Sequence, residues 1–163
     1  MEKVVHTIAP VYDENSRVLI LGSMPSPKSR EVGFYYGHPQ NRFWRVLAEI
    51  LNEEVPDDTL AKKALVLRHH IALWDVLAEC EIEGASDSSI KNPKINDMDI
   101  IFSRASIKAV FATGAKAAEL YQKLRKRDWP DCIKLPSTSA ANAAYSKERL
   151  KERYRVILDY LEE

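Results

Sequence analysis

The sequence predicts an α/β fold in which helices cover both faces of a parallel sheet. The chain has 163 residues, a length that suits one domain with one core. Four short apolar runs alternate with segments whose apolar residues recur at helical spacing. Because each run is apolar throughout, it is typical of a strand buried on both faces. We therefore expect one domain that spans residues 1–163.

The first half of the chain is predicted to hold two strands and two helices. Residues 17–22 (RVLILG) form the first strand, and a loop rich in Pro and Gly follows over 23–41. Loops of this length in a small domain are usually functional. Helices are expected at 42–51 and 59–69, and a second buried strand at 71–74.

The second half is predicted to hold two more strands and two longer helices. Residues 79–99 are acidic and polar, and we expect an extended loop there that opens into a short helix near Asp97. The remaining elements are a strand at 107–112, a turn at 113–114 into a helix that runs to about 126, a strand at 132–135 and a final helix at 147–161.

Loops that follow the strands are predicted to surround one crevice, because open α/β sheets bind ligands at the carboxyl ends of their strands. These loops are 23–41, 75–90, 113–114 and 137–142. Twenty-four basic residues balance twenty-four acidic ones, for a formal net charge of +0 at pH 7. Basic stretches at 28–45 and 104–134 nevertheless flank the crevice, although they could equally be solvated helix faces.

Several classes of protein are excluded by what the sequence lacks. It has no apolar run long enough for a transmembrane helix and no signal peptide, so we expect a cytoplasmic protein. Cys80 and Cys132 stand far apart and are expected to be buried apolar residues, so we predict no metal site and no cofactor. Residues 22–26 (GSMPS) match neither dinucleotide-binding nor P-loop motifs, and no serine hydrolase elbow is present.

An aromatic loop at 33–44 (GFYYGHPQNRFW) is the strongest candidate for a binding surface. Three aromatic residues between two glycines suit a platform that stacks on a nucleobase, and nearby Arg and Lys suit phosphates. Tyr35 and Tyr36 could instead fill a small core beneath the loop. Phe43 and Trp44 fall within the predicted helix and are expected to belong to the core.

Three motifs together resemble the uracil-DNA glycosylase superfamily. They are LGSMPS at 21–26, GF at 33–34 followed by HPQNRFW at 38–44, and PSTSAANA at 136–143. Within the superfamily the chain looks most like the hypoxanthine (deoxyinosine) DNA glycosylases. The resemblance implies a three-layer sandwich with a central four-stranded parallel sheet, and a monomer that acts on double-stranded DNA containing a deaminated base.

The implied reaction is hydrolysis of the N-glycosidic bond of a flipped nucleotide, without a metal. Many members carry a water-directing Asn or Asp where this chain has Met24, whose thioether cannot orient water well, and this counts against uracil excision. In the hypoxanthine branch a downstream Asn takes the role, and Asn41 matches it. An Asn amide can accept from water and donate to a purine, but Asn41 could instead cap the following helix.

Other site residues follow from the same resemblance. Phe34 is the expected ring under the flipped base, with Tyr35 second, and Asp75 could bind the base edge or cap a helix. Base-binding residues also include Gly22, Ser23, Met24 and His38, although His38 could only brace its loop. Phosphate contacts and a wedge into the duplex are expected from Ser26, Ser137, Thr138, Ser139, Ala140 and Asn142. The residues at 137–143 could instead form a simple Ser/Thr turn before the last helix.

The sequence therefore favours a monofunctional DNA glycosylase, since no lysine lies inside either core motif and Lys28 is the nearest. A uracil or mismatch-specific glycosylase is one alternative. A second is a DNA-binding module that has lost the chemistry, and a third is an unrelated α/β enzyme acting on free nucleosides. A neutral glycosylase should bind undamaged DNA weakly and depend on the flipped base.

Overall fold

The computed structural model describes residues 2–83 and 86–161. Its strands are β1 Glu2–Val5, β2 Val18–Gly22, β3 Ile71–Asp75, β4 Leu77–Ile82, β5 Lys91–Ile95, β6 Ala109–Thr113 and β7 Cys132–Leu135. Its α-helices are α1 Pro27–Val32, α2 Phe43–Ile50, α3 Thr59–Arg68, α4 Asp99–Phe102, α5 Ala115–Leu124 and α6 Lys147–Tyr154. Short 3-10 helices cover Asp87–Ser89 and Arg155–Tyr160.

Four parallel strands form the predicted central sheet, in the order β3-β2-β6-β7, and helices flank it. Every residue of β2 is buried, and Val18–Leu21 have no exposed surface. The chain leaves β2 for β3 on one side and later returns to β6 on the other side. The carboxyl end of β2 is therefore the point at which the strand order reverses, where α/β folds place their ligands.

Local sequence signals define the ends of the helices. The side chains of Ser26, Asp58 and Ser146 cap α1, α3 and α6 by accepting from backbone N–H groups three residues later. Gly33 ends α1 with φ 78°, a left-handed conformation that glycine adopts without strain. The final α-helix stops at Tyr154, and a 3-10 helix continues over part of the predicted length.

The extended loop predicted for residues 79–99 is wrong, because this region contains two strands. β4 pairs with both β1 and β5 in an antiparallel three-stranded sheet. Charged residues occupy the exposed positions and pair across strands: Glu79 lies 3.4 Å from Lys3 and 2.9 Å from Lys94. The charged residues of β4 and the polar sequence of β5 (KNPKI) made this region resemble a loop in composition. The predicted short helix near Asp97 is α4.

The two sheets join where the chain passes from β3 through Val76 into β4. Val76 N–H donates to the carbonyl of Gly22 (2.7 Å). Asn96 is buried here, and its Nδ2 donates to the carbonyls of Asp75 (3.0 Å) and Leu77 (3.1 Å). One side chain thus fixes the direction in which Asp75 leaves the parallel sheet.

No helix among the described residues is long and apolar enough to cross a bilayer. Cys80 is buried and Cys132 is half-buried, and neither of the two is joined in a disulfide.

Replacing Asn96 by Ala is expected to destabilise the fold because two buried carbonyls lose their donor. We expect the free energy of unfolding to fall by about 2–3 kcal/mol. Urea denaturation followed by tryptophan fluorescence measures it, with Asn15→Ala on an exposed loop as the control, expected within about 0.5 kcal/mol of wild type. Equal stability of the two variants would contradict this role for Asn96.

Candidate active site

A cavity of about 440 Å³ opens at the carboxyl ends of the parallel strands. Gly22, Asp75 and Thr113, the last residues of β2, β3 and β6, all line it. Parallel strands that end at one edge bring these side chains together although they are far apart in sequence. Of the site residues predicted from the sequence, the structure places these around the cavity: Gly22, Ser23, Met24, Ser26, Tyr35, His38, Asn41, Asp75, Ser137, Thr138, Ser139 and Ala140.

Phe34 is the principal correction to the predicted site, because it does not line the cavity. Its ring is 2% exposed and stacks on Trp44, with centroids 6.0 Å apart, and Lys63 lies over it at 5.8 Å. Phe34 is therefore a core residue and cannot lie under a bound base. Asn142 also lies outside the cavity lining and acts within its own loop.

Tyr35 fits both hypotheses for the aromatic loop, a binding surface and a small core beneath the loop. It lines the cavity, yet it is only 2% exposed and its hydroxyl donates to the carbonyls of Ile8 and Ala9. It mainly fills the small core beneath the loop, and its burial together with the nearby Asp75 carboxylate raises the pKa of its hydroxyl.

Tyr36 also lines the cavity, although it was not among the base-binding residues predicted from the sequence. One face of its ring packs on Phe43, with centroids 3.8 Å apart and planes 11° apart, while the residue lines the cavity. Its backbone has φ 53°, a left-handed conformation that is costly for a tyrosine. Thr113 Oγ1 lies 3.1 Å from the Tyr36 hydroxyl and donates its own proton to the Leu21 carbonyl, so Tyr36 donates to Thr113.

Asn41 bonds the first backbone amide of α2, although Arg42 and not Asn41 is the N-cap residue of that helix. Its bonds limit what else the side chain can do. Its Oδ1 accepts from the backbone N–H of Phe43 (2.9 Å), at the start of α2, and from the Thr138 hydroxyl (2.8 Å). Both lone pairs of Oδ1 are thereby engaged. Among the described residues nothing accepts from Nδ2, so this amide presents donors to the cavity and has no acceptor left for water.

Asp75 lies beside the buried His6, a residue that the sequence did not indicate. His6 Nε2 lies 2.9 Å from Asp75 Oδ2, and their side chains are 2% and 6% exposed. Because β3 leads into the strand β4 and not into a helix, the helix-capping alternative for Asp75 is wrong. No sequence signal links the two residues, since they lie 69 positions apart and meet only through the pairing of β1 with β4.

Arg42 joins the aromatic loop to the loop at 137–145. Its guanidinium donates to the carbonyls of Ser139 (2.8 Å), Asn142 (3.1 Å), Thr138 (3.4 Å) and Tyr145. Its backbone N–H also donates to Thr138 (3.0 Å). The five donors of a planar guanidinium suit such a cluster of carbonyl oxygens. Thr138 is consequently held against Asn41.

The loop at 137–145 forms the Ser/Thr turns that the sequence offered as an alternative to phosphate contacts. Ser137 Oγ accepts from the N–H of Ser139, and Ser139 Oγ accepts from the N–H of Ala141, both at 3.1 Å. Asn142 Nδ2 donates to the Ser137 carbonyl (2.9 Å). In the described part of the chain neither serine hydroxyl donates its proton, and Ala140 is exposed at the rim.

The remaining predicted residues have local roles. Ser26 Oγ caps α1 and donates to Ser29 Oγ (3.1 Å), so its proton is already used. His38 is exposed, and its Nδ1 accepts from Gln40 N–H (3.1 Å), which braces the loop and leaves Nε2 toward solvent. Met24 lines the cavity and packs on the core. Across residues 2–83 and 86–161, no group of three or more His, Cys, Asp and Glu side chains could hold a metal ion.

Comparison with known proteins gives consistent results. The profile of the Uracil DNA glycosylase superfamily matches residues 9–162. A "Hypoxanthine DNA glycosylase" from Methanosarcina acetivorans is 38% identical over 144 residues, which are 87% of this chain and 90% of that protein. A protein of the same name from Methanosarcina barkeri is 39% identical over 142 residues, covering 86% of this chain and 89% of that one.

A solved structure resembles the whole fold. It is a solution NMR structure from Methanosarcina acetivorans, described there as a candidate uracil DNA glycosylase. It matches with a TM-score of 0.78 and 35% identity, over 97% of this chain and 98% of the other.

Substituting Arg42 by Lys is expected to loosen the loop at 137–145, because one ammonium cannot reach four carbonyls. We expect the free energy of unfolding to fall by about 2–4 kcal/mol. Faster amide hydrogen exchange at residues 139–142 should accompany this loss. Arg45→Lys is the control, since Arg45 is exposed and donates only weakly to Asn41. Unchanged exchange in Arg42→Lys would show that the guanidinium does not hold the loop.

Proposed function

The chain belongs to the uracil DNA glycosylase superfamily, and from this premise we propose that its cavity receives hypoxanthine flipped out of double-stranded DNA. The protein is a DNA glycosylase, a hydrolase that acts on N-glycosyl bonds and removes a deaminated base. The observation that carries the choice of base is the identity of 38–39% to proteins named hypoxanthine DNA glycosylase. We further propose a cytoplasmic monomer, since one chain contains the whole cavity.

The reaction replaces the C1′–N9 bond by a C1′–O bond. As the bond to the purine breaks, its electron pair goes to the base and positive charge develops on the sugar. Water then adds to C1′ and loses a proton, so the products are the free base and an abasic site. The protein can accelerate this by stabilising the negative charge on the leaving base with fixed donors.

Asn41 is the proposed source of that stabilisation. Since its Oδ1 is held by Phe43 N–H and the Thr138 hydroxyl, the side chain cannot rotate freely and Nδ2 remains free to donate. A donor whose orientation is fixed before the reaction costs no reorganisation during it. In this role Asn41 acts on the base, whereas a water-directing role would require the Thr138 hydroxyl to release Oδ1.

Tyr36 is the proposed platform for the base. Its ring is packed on Phe43 on one side and belongs to the cavity lining, so a flipped purine can stack on the opposite side. Stacking on an aromatic side chain is worth about 1–3 kcal/mol per base and tolerates any base. This contact therefore contributes affinity, and base selection has to come from polar groups.

The loop at 137–143 is proposed to contact the DNA backbone. The hydroxyls of Ser137 and Ser139 keep their protons for phosphate oxygens, while the exposed Ala140 and Ala141 can enter the space vacated by the flipped nucleotide. Arg42 holds the loop in place through main-chain carbonyls. Because the net charge of the chain is +0, binding to undamaged DNA should be weak.

A duplex with a single deoxyinosine tests the proposal directly. We expect the wild-type protein to convert it to an abasic site that hot alkali cleaves, and to act more slowly on deoxyuridine because Met24 supplies no water-directing group. Free deoxyinosine should not react. Absence of cleavage in duplexes carrying deoxyinosine, deoxyuridine or deoxyxanthosine would contradict the enzymatic function and support a DNA-binding module.

Asn41→Asp separates the structural role of Asn41 from catalysis. The carboxylate keeps an acceptor for Phe43 N–H and Thr138 but removes the Nδ2 donor. We expect the melting temperature to stay close to wild type and the single-turnover rate of base release to fall by about 10²–10³-fold. Asn41→Ala should lose both stability and rate. An Asn41→Asp enzyme with wild-type rate would rule out Nδ2 as the stabilising donor.

A further inference from the structure

One side of α6 carries two arginines that have no acidic partner. Arg149 and Arg153 lie one helical turn apart, and both are exposed. Lys147 and Lys151 share the other side of the helix, and both pair with one glutamate of α2, at 3.0 Å and 3.2 Å. Neither guanidinium forms an ion pair with a carboxylate of the described residues, Glu152 on the same helix included. The helix therefore carries a neutralised row of lysines and an unneutralised row of arginines.

Both arginines are held against Tyr145, which lies just before α6. The Arg149 guanidinium lies over the Tyr145 ring, 4.4 Å from its centroid, and donates to the main-chain carbonyl of the preceding residue (2.8 Å). Arg153 donates to the Tyr145 hydroxyl (3.0 Å). The Tyr145 carbonyl in turn accepts from Arg42, which also bonds the rest of this loop. The protein thus sets the positions of the ring and of both guanidinium groups.

The cluster of Tyr145, Arg149 and Arg153 presents hydrogen-bond donors to solvent. A guanidinium has five N–H donors, and within the described residues each of these two uses one of its NH groups on the protein. The Tyr145 hydroxyl accepts from Arg153, and no described residue accepts its own proton. Two cations and a hydroxyl donor on one surface suit the oxygens of a phosphate. Because protein contacts already restrain these long side chains, binding costs them less conformational entropy.

The cluster lies close to the loop that is proposed to enter the duplex. Ala141 and Tyr145 are four residues apart in sequence, so their Cα atoms are separated by no more than about 14 Å. The Tyr145 N–H donates to the Asn142 carbonyl (3.3 Å), which turns the chain between them. A DNA strand advances about 3.4 Å per base pair. A flipped nucleotide beside Ala141 therefore brings phosphates to the cluster within about four base pairs along the duplex.

We propose that Tyr145, Arg149 and Arg153 form a phosphate-binding surface that contacts the DNA backbone beside the flipped nucleotide and outside the cavity. The inference rests on the proposed function, which brings the duplex to the loop at 137–145. The surface supplies the sequence-independent electrostatic part of binding, which a chain with a net charge of +0 cannot obtain from its overall charge. It acts on one side of the lesion, because the cluster lies at one end of the loop.

The first experiment measures binding to an undamaged duplex, which no base-release step can alter. Fluorescence anisotropy gives the dissociation constant over a range of salt concentrations for the wild type and for Arg149→Gln/Arg153→Gln. We expect the double variant to bind about 10-fold more weakly, since it loses hydrogen bonds to a charged group. The slope of log K against log salt should become shallower by about 1–2 units. An unchanged slope would overturn the proposal.

Lys147→Gln/Lys151→Gln is the matched control. It removes the same charge from the same helix, but from cations that a glutamate of α2 already neutralises. We expect this variant to keep the salt slope of the wild type. An equal loss of slope in both double variants would show that net charge governs binding, and this result also overturns the proposal.

Tyr145→Phe tests the cluster without changing the charge. It keeps the ring under Arg149 and removes only the hydroxyl that Arg153 contacts. We expect binding to weaken by about 3–10-fold, the effect of one lost hydrogen bond, with a melting temperature close to wild type. A purely structural role would lower the melting temperature and leave binding unchanged, which contradicts the proposal. This variant decides the question if the double arginine variant does not fold.

Uncharged methylphosphonate linkages locate the contact on the DNA. They replace single phosphates within about four base pairs of a deoxyinosine, on either strand and on either side. At subsaturating protein, we expect at least one linkage position to slow base release by the wild type and to have no further effect in Arg149→Gln/Arg153→Gln, because that phosphate has already lost its partner. If every linkage slows both proteins equally, the cluster contacts none of these phosphates and the proposal is overturned.

The two levels of the hypothesis fail differently. If the wild-type enzyme releases no base from any deaminated substrate, the proposed function is wrong, and the salt slopes still decide whether the cluster binds DNA. If it releases hypoxanthine but the wild type and Arg149→Gln/Arg153→Gln have the same salt slope, then the function stands and the phosphate-binding surface is overturned.

Discussion

The Arg42 guanidinium, bonded to four main-chain carbonyls, is the interaction on which the geometry of the site depends. Arg42 follows Asn41 directly and immediately precedes α2, while its carbonyl partners belong to the loop at 137–145. The clamp joins two segments about a hundred residues apart in sequence and brings the Thr138 hydroxyl to Asn41. A carboxylate partner would have neutralised the cation at one point, whereas carbonyl dipoles distribute its bonds over a whole loop.

The parallel sheet is the second structure that fixes the positions of the cavity residues. β2 lies between β3 and β6, and the final residue of each of these three strands lines the cavity. These almost completely buried strands provide a rigid floor, so the loops do not have to define the geometry of the site alone. This arrangement lets a chain of 163 residues build the cavity from the ends of three adjacent strands and the loops that follow them.

The sequence predicted the parallel sheet because its strands are continuously apolar, and it predicted most of the cavity lining because the motif residues follow those strands. It missed β1, β4 and β5, whose charged residues become favourable only when paired across strands, and it missed α1 within the predicted loop at 23–41. The family resemblance selected Phe34 as the ring under the base, but Phe34 packs on Trp44, whereas Tyr36, whose backbone is left-handed, lines the cavity. The sequence shows neither the packing nor the turn. His6 was beyond sequence reasoning, since only the β1–β4 pairing brings it to Asp75.

A common physical rule connects the three polar residues of the cavity. In each, one part of the side chain is committed to a protein partner: Asn41 Oδ1 to Phe43 N–H, Asp75 Oδ2 to His6, and the Tyr36 proton to Thr113. The part that remains has a single hydrogen-bonding sense, a donor on Asn41 and acceptors on Asp75 and Tyr36. Amide and hydroxyl groups are otherwise ambivalent and can adapt to almost any base. Because one half of each side chain is bonded to the protein, that freedom is removed, and the folded state presents a fixed pattern of donors and acceptors in the cavity.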